Sequence, residues 1–447
     1  MSTRKYALIM IQRSNLQFAR KSHNAITWLK DRPLLISSAF FFGSTILVNM
    51  GNYLFNLILS RWLGPAKFAD LSLIVTFMMV TTFATTALST TTAKFVASYA
   101  AEEDMSSVAN LRSWLGCRAF ALGTIFFFFL ALGAPFLTSI FQMRSSWPFM
   151  TLGVGFPIFF MLAIDRGVLQ GRAHFGRLAL CNQAEMWVRL LGAIGFVVIG
   201  WSVNGAVAAL PLSFVAAWLV ALGARKGLPA RFQPLSRAER TEIAHYLGLA
   251  IIGLIGQIVI NNSDILIVKS FFPAQQAGQY AALALIGRMV FFATWSVVMV
   301  VFPVVTQKHQ RGESHRFLLW TSLGVIGLVS GGIVIVTLLI PKLVVNVLFG
   351  AQYLPIAPLL WLYALATAIY ALANAIVNYY LSLGNGKGNY LVLLAGMAQV
   401  GGLLLLHTDL FIVVAVQLGI MVSLLITLMI WDVYIKREFP NEKRKVK

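Results

Sequence analysis

A chain of 447 residues that is 59% apolar and only 11% charged is not an ordinary soluble domain, where about a quarter of residues carry charge. Its apolar residues come in solid blocks long enough to cross about 30 Å of hydrocarbon as helix, and not in the alternating runs of about ten residues that build a β-barrel. The net charge of +20 alone would suit a nucleic-acid partner, but its distribution excludes one.

Taken in chain order, residues 1–33 form a basic tail with a short apolar patch and no small-residue cleavage site, which reads as an interfacial amphipathic segment. Twelve spans follow, at 35–62, 68–98, 114–140, 148–171, 176–200, 204–224, 245–271, 277–305, 316–347, 354–383, 388–407 and 410–434. The longest polar connection divides them six and six. The expected organisation is a tail (1–33), an N-lobe (34–224), a basic linker (225–243), a C-lobe (244–434) and a basic C-tail (435–447).

If successive connections alternate sides, 25 of the 35 Lys and Arg fall on the side of the termini. Only Arg61, Lys67, Arg144, Lys269 and Lys342 fall on the other. The positive-inside rule then makes both termini cytoplasmic, and the basic excess encodes topology and contact with anionic lipid. Five basic residues remain within spans: Lys94, Arg118, Arg166, Arg189 and Arg288.

The halves repeat weakly. NYLFNLILSRWLGPAKFADLSLI (52–74) lies over NNSDILIVKSFFPAQQAGQYAALAL (261–285) at an offset of 209, and VLQGRAHFGRLAL (168–180) lies over YLSLGNGKGNYLVL (380–393) at about 213. The second offset sets Asp165 on Asn378. Repeat-related lobes about a central site are a common transporter plan.

The stretch NLILSRWLGPAKFADLSLI, with AKFVASYAAEED (93–104) and LQGRAHFGRLAL (169–180), resembles the Wzx-type lipid-linked oligosaccharide flippases, polysaccharide exporters of the multidrug/oligosaccharidyl-lipid/polysaccharide (MOP) superfamily. The resemblance implies an all-α membrane protein of two six-helix lobes in a MATE-like V, sited in the bacterial inner membrane and alternating between inward- and outward-facing states. Its cargo would be a polyprenyl-pyrophosphate-linked repeat unit of O-antigen, capsule or exopolysaccharide. Membrane lipids, and the polymerase and chain-length proteins of a polysaccharide pathway, would be its partners, and the chain itself would be a monomer.

Polar groups facing lipid are costly, so polar stripes within spans should face a cavity or another helix. Span 1 carries Asn49, Asn52 and Asn56 on one face, span 7 Gln257, Asn261 and Asp264, and span 10 Thr367, Asn374 and Asn378. Span 2 carries TTFATTALSTTTAKF (81–95), whose hydroxyls at 81, 82, 85, 86, 89 and 90 share a face, while Thr91 and Thr92 lie past it. Helix–helix hydrogen bonding would explain any one stripe; four at related positions predict a shared hydrated lumen. At 1.5 Å per residue, Arg189 lies roughly 20 Å in from one side and Arg288 roughly 16 Å from the other, both near mid-membrane. Glu185 sits one turn before Arg189. A basic lumen suits pyrophosphate, which arginine grips with a fixed fork of donors.

The expected ligand-binding residues are Arg288 and Arg189, then Lys94, Arg118 and Arg166 at the inner mouth, with Asn52, Asn56, Asn261, Asn374 and Asn378 lining the lumen. Glu185, Asp264 and Asp165 are the candidates for coupling to an ion. Two cysteines within spans and six scattered histidines offer no metal or cofactor site. A cation-coupled multidrug antiporter on the same fold would want a carboxylate in span 1, which has only asparagines. A membrane polymerase or glycosyltransferase would want acids or histidines on a sizeable outer loop, and every outer loop is short. The expectation is a transporter and not an enzyme. The glycines near 330–332 are expected to allow close helix packing.

Overall fold

The computed structural model describes residues 33–229 and 234–438, so the readings for the N-tail, part of the linker and the C-terminal tail lie outside the described residues. The helical run Pro33–Ala101 is broken at Gly64, whose φ of 68° and ψ of 169° are tolerated best by glycine. Pro65 follows at the start of the next helix, where its missing N–H would be unpaired in any case. The run is therefore two crossings, α1 (33–63) and α2 (65–101).

Then come α3 (Met105–Ile140), α4 (Trp147–Gly171), α5 (Phe175–Val198), α6 (Ser202–Ala221), α7 (Arg237–Phe271), α8 (Ala274–Gln310), α9 (Arg316–Leu339), the short α10 (Pro341–Leu348), α11 (Leu360–Ser382), α12 (Gly388–Leu405) and α13 (Leu410–Glu438). Without α10 these make twelve crossings among the described residues. The helices are closed off locally. The Asp104 carboxylate accepts from the Ser107 N–H at 3.0 Å ahead of α3, and Ser236 with Glu239 forms a reciprocal capping box ahead of α7.

Span 9 departs from expectation. The predicted 316–347 ends as a spanning helix at Leu339, and Pro341 restarts the chain as α10. Residues Ala351–Leu359 then form a 3-10 turn, since Pro355 and Pro358 lack the N–H groups an α-helix there would use.

The first six helices pack on one another and the last six on one another. The α1–α2 run crosses between the lobes to meet α7 and α8. α4 lies against α2 so closely that a Cβ on Gly167 would fall 2.5 Å from Thr92 Cβ, and one on Gly171 would fall 2.7 Å from the Ala93 carbonyl oxygen. This is the small-xxx-small approach that drives helix association in lipid. The glycines of α9 do not repeat it: nothing lies within 4 Å of a Cβ at Gly327, Gly331 or Gly332, against expectation.

Most of α3 and α9 faces outward, with Phe128, Leu132, Phe136 and Leu328 exposed to where lipid would be. The least apolar crossings are α5, α7 and α8. These three contribute Glu185, Arg189, Gln257, Asn261 and Arg288 to the cavities described below.

With twelve crossings, the described chain begins at Pro33 and ends at Glu438 at the same end of the helical bundle, called here the termini face; the opposite end is the far face. At the far face the lobes are joined by two buried contacts, at Lys269 and Tyr353, and one exposed contact, at Arg61. Lys269 Nζ of α7 lies 2.8 Å from Asp70 Oδ1 of α2, with 2% and 8% of their side chains exposed. Arg61 donates to the Asn346 and Val347 carbonyls at 3.0 and 2.6 Å, at the C-terminal end of α10, where the helix dipole favours a cation. Tyr353 donates to the Ser60 carbonyl at 2.8 Å. At the termini face the contacts are wetter: exposed Lys94 sits 3.8 Å above the Tyr246 ring, and Tyr99 donates to Glu239 at 3.4 Å.

Candidate functional site

Two adjoining cavities occupy the middle of the molecule, 370 Å³ on the N-lobe side and 380 Å³ on the C-lobe side. Met79, Thr82, Thr86 and Arg288 line both, so α2 and one arginine of α8 form the junction.

The N-lobe half is charged. Glu185 pairs with both Arg166 of α4 and Arg189 one turn along α5. Arg189 also donates to Asn52 Oδ1 of α1 at 3.1 Å, and Gln183 holds the same two helices together through Ser44 at 2.9 Å. One carboxylate between two guanidiniums leaves a net positive site. It also leaves buried donors without partners: Nε of Arg166, Nε of Arg189 and Nη2 of Arg288. Buried polar groups are ordinarily satisfied, and unpaired cationic donors around one cavity are what an incoming anion would complete.

Thr82, Thr85, Thr86, Ser89 and Thr90 form the α2 wall. The threonine hydroxyls there donate to carbonyls of their own helix, Thr82 to Met78 at 2.9 Å, Thr86 to Thr82 at 2.7 Å and Thr90 to Thr86 at 2.9 Å. Bonding back to the preceding turn removes the cost of carrying them in a membrane helix. Thr91 and Thr92 are buried away from the cavity.

The C-lobe half is lined by amides and aromatics: Gln257, Asn261, Asn262, Gln399 and Gln417 with Phe291, Tyr363 and Tyr370. Arg288 is the only charged side chain among its described lining residues. Phe291 and Tyr370 stack with centroids 5.7 Å apart. Asp264 lies behind this wall. The Tyr363 hydroxyl donates to its Oδ2 at 2.8 Å, and the Tyr280 hydroxyl lies 2.9 Å from the same oxygen and 3.0 Å from Gln417 Oε1. The single Tyr280 proton serves one of those acceptors at a time.

Of the residues singled out in the sequence, Arg288, Arg189, Arg166, Glu185, Asn52, Asn56 and Asn261 line the cavities. Others lie elsewhere. Arg118 is exposed on α3, stacked on Trp114 at 4.0 Å. Lys94 sits on Tyr246 at the termini face. Asn374 is buried behind Gln257 and accepts from it at 3.3 Å, while Asn378 donates to the Asn374 carbonyl at 2.8 Å. Asp165 is fully buried in an ion pair with Arg112 Nε at 2.7 Å, with Arg225 at 3.7 Å. Sequence reasoning found Gln257 and Asn261 but passed over Asn262, Gln399, Gln417 and the aromatic lining of the C-lobe, because single Phe, Tyr and Gln residues look like ordinary core until the helices are assembled.

The polysaccharide biosynthesis protein family model matches residues 34–309. No curated protein matches the chain by sequence. Among solved structures, the chain is similar to an inward-facing multidrug resistance MATE family transporter of the MOP superfamily, with a TM-score of 0.74, 14% identity, and 88% of this chain and 96% of that one covered. It is similar to the lipid II flippase MurJ in an inward closed conformation, at 0.71 and 12%, with 89% and 87% covered. It also matches an outward-facing MATE family transporter, at 0.60 and 16%, with 92% and 96% covered. The chain belongs to the polysaccharide biosynthesis protein family, and it is a multi-pass membrane protein with the two-lobed helical fold of the MOP superfamily.

Proposed function

We propose that this protein flips a polyprenyl-diphosphate-linked oligosaccharide repeat unit between the leaflets of a bacterial inner membrane by alternating access. The observation that carries the reading is the set of buried, unpaired arginine donors converging on one cavity from both lobes: Arg166 and Arg189 from the N-lobe, Arg288 from the C-lobe. A diphosphate supplies several acceptor oxygens in one compact group, and bidentate arginine contacts suit it. The polyprenyl tail stays in lipid while the headgroup occupies the cavity.

In this reading the termini face is cytoplasmic, and lobes 34–224 and 244–434 rock about the α2–α7 and α2–α8 contacts. Cargo enters from the termini face and leaves after the far-face contacts part. The protein acts as a monomer beside the polymerase and chain-length proteins of its pathway. Glu185 is the candidate for coupling to an ion, since it is the one carboxylate lining the cavities among the described residues. A cationic drug would meet three arginines, and α1 offers it asparagines instead of a carboxylate.

The test is leaflet-to-leaflet transfer of a fluorescent polyprenyl-diphosphate oligosaccharide in proteoliposomes. Arg189→Ala and Arg288→Ala should each lower the rate by about tenfold or more, the loss of ~1.4 kcal/mol of differential binding. Unchanged rates in both variants would refute the site.

A further inference from the structure

The two halves of the cavity differ in chemistry, and the difference orients the cargo. On the N-lobe side the ligand meets Arg166, Glu185 and Arg189; on the C-lobe side it meets amides and aromatic rings, with Arg288 at the seam. Resting on the flippase reading above, we infer that the diphosphate sits on the N-lobe side and at Arg288, and that the C-lobe side receives the linked sugar. We infer further that this sugar is uncharged, with hydroxyl or N-acyl substituents.

Three observations carry this. A pyranose ring has an apolar C–H face and a rim of hydroxyls, and the stacked Phe291–Tyr370 pair together with the amides of Gln257, Asn261 and Gln399 offers matching partners for both. Gln399 is fully buried, and its Nε2 is used twice, on the Ile260 carbonyl and on Ser263 Oγ, each at 3.0 Å. Its Oε1 has no partner, and a buried acceptor of this kind calls for an O–H or N–H from the ligand. A sugar carboxylate brings only acceptors. It would be desolvated here against a lone acceptor oxygen, with no cation beyond Arg288 to offset the loss.

The donors of this half tell the same way. Asn261 donates to the Gln257 carbonyl at 2.8 Å, Asn262 to the Ile258 carbonyl at 2.9 Å, and Gln257 to Asn374 at 3.3 Å. Much of the amide donor capacity is engaged within the protein, which leaves the wall richer in acceptors than in donors. The buried carboxylate of Asp264 is screened from the cavity by the hydroxyls of Tyr363 and Tyr280. Arg288 is thus the one charge among the described residues lining this half, with the Asp264 carboxylate held behind the tyrosines.

The experiment measures equilibrium binding to the purified full-length protein with three probes. These are inorganic pyrophosphate, a polyprenyl diphosphate bearing a neutral N-acetylhexosamine, and the same lipid bearing a hexuronic acid. The wild type should prefer the neutral glycolipid over the acidic one by about tenfold, ~1.4 kcal/mol. Phe291→Ala and Tyr370→Ala should weaken neutral-glycolipid binding about tenfold, to the same change, while pyrophosphate binding stays as in the wild type. Gln257→Lys, which places a cation in the C-lobe half without removing a ring, should reverse the preference toward the uronic acid. Equal or better binding of the acidic lipid by the wild type, or an equal loss of pyrophosphate and glycolipid in the aromatic variants, would overturn the inference. Failure of all three probes to bind would instead remove the flippase reading on which it rests.

Discussion

Asp70 and Lys269 meet 2.8 Å apart at the far face although they stand on helices of different lobes, and almost nothing of either side chain is exposed. An ion pair this dry adds little net stability while intact, but removing one partner strands the other charge, at a cost of about 3–5 kcal/mol. Any excursion that opens the far face must separate the pair and let water reach both groups. Asp70→Asn should therefore shift the resting population toward a far-face-open state, seen as longer inter-lobe distances between spin labels on the two lobes. The double change Asp70→Leu with Lys269→Met should restore closure, since no charge is left unpaired.

Gly278 at the start of α8 lies against α2 so tightly that an added Cβ would fall 1.7 Å from the Pro65 carbonyl oxygen. No rotamer relieves a clash with backbone. Gly278→Ala should hold the lobes apart at the far face and suppress transfer strongly, with normal insertion. Gly331→Ala is the control: nothing lies within 4 Å of its Cβ, and the helix should gain up to about 1 kcal/mol from propensity.

Asp165 separates a structural role from a coupling one. Its carboxylate is enclosed by Arg112 and Arg225 and lines neither half of the cavity. Asp165→Asn should lower thermal stability, by an amount approaching the ~3–5 kcal/mol of a broken buried pair, while the surviving protein keeps the wild-type dependence of transfer on ion gradients. A changed ion dependence would return Asp165 to the coupling set.

The two caps at the termini face predict a pH dependence. Ser107 hydrogen bonds hold Asp104 below its ordinary range, and Ser236 hydrogen bonds do the same for Glu239. A depressed folded-state value means the stabilisation is complete above the ordinary carboxyl range of about 4, and is lost as pH falls through the lower folded values. Amide protection factors at the starts of α3 and α7, taken against the intrinsic exchange rate at each pH, should thus be flat near neutrality and fall on acidification below about pH 4. Asp104→Asn should flatten that response for α3 alone.

Much of this architecture was legible in the sequence because lipid imposes simple rules. Spans must be long and apolar, and a polar side chain within one needs a reason, so the Asn face of α1, the threonines of α2 and the in-span arginines stood out. Composition could not say where a flexible cation turns. Arg166, placed at the inner mouth by sequence position, reaches Glu185 in the cavity, whereas Arg118, grouped with it, folds back on Trp114. Asp165 and Asn378, matched by the repeat, serve a linker ion pair and an Asn374 contact. The split of span 9 turned on Pro341, and an apolar run on both sides of it disguised the break.

The threonine wall of α2 has a mechanical consequence. With each hydroxyl proton committed to the preceding turn, Thr82, Thr86 and Thr90 show the cavity only oxygen lone pairs and methyls, repeated about every 6 Å along the axis. The wall therefore presents like acceptors at each turn, and by itself it favours neither end of the helix.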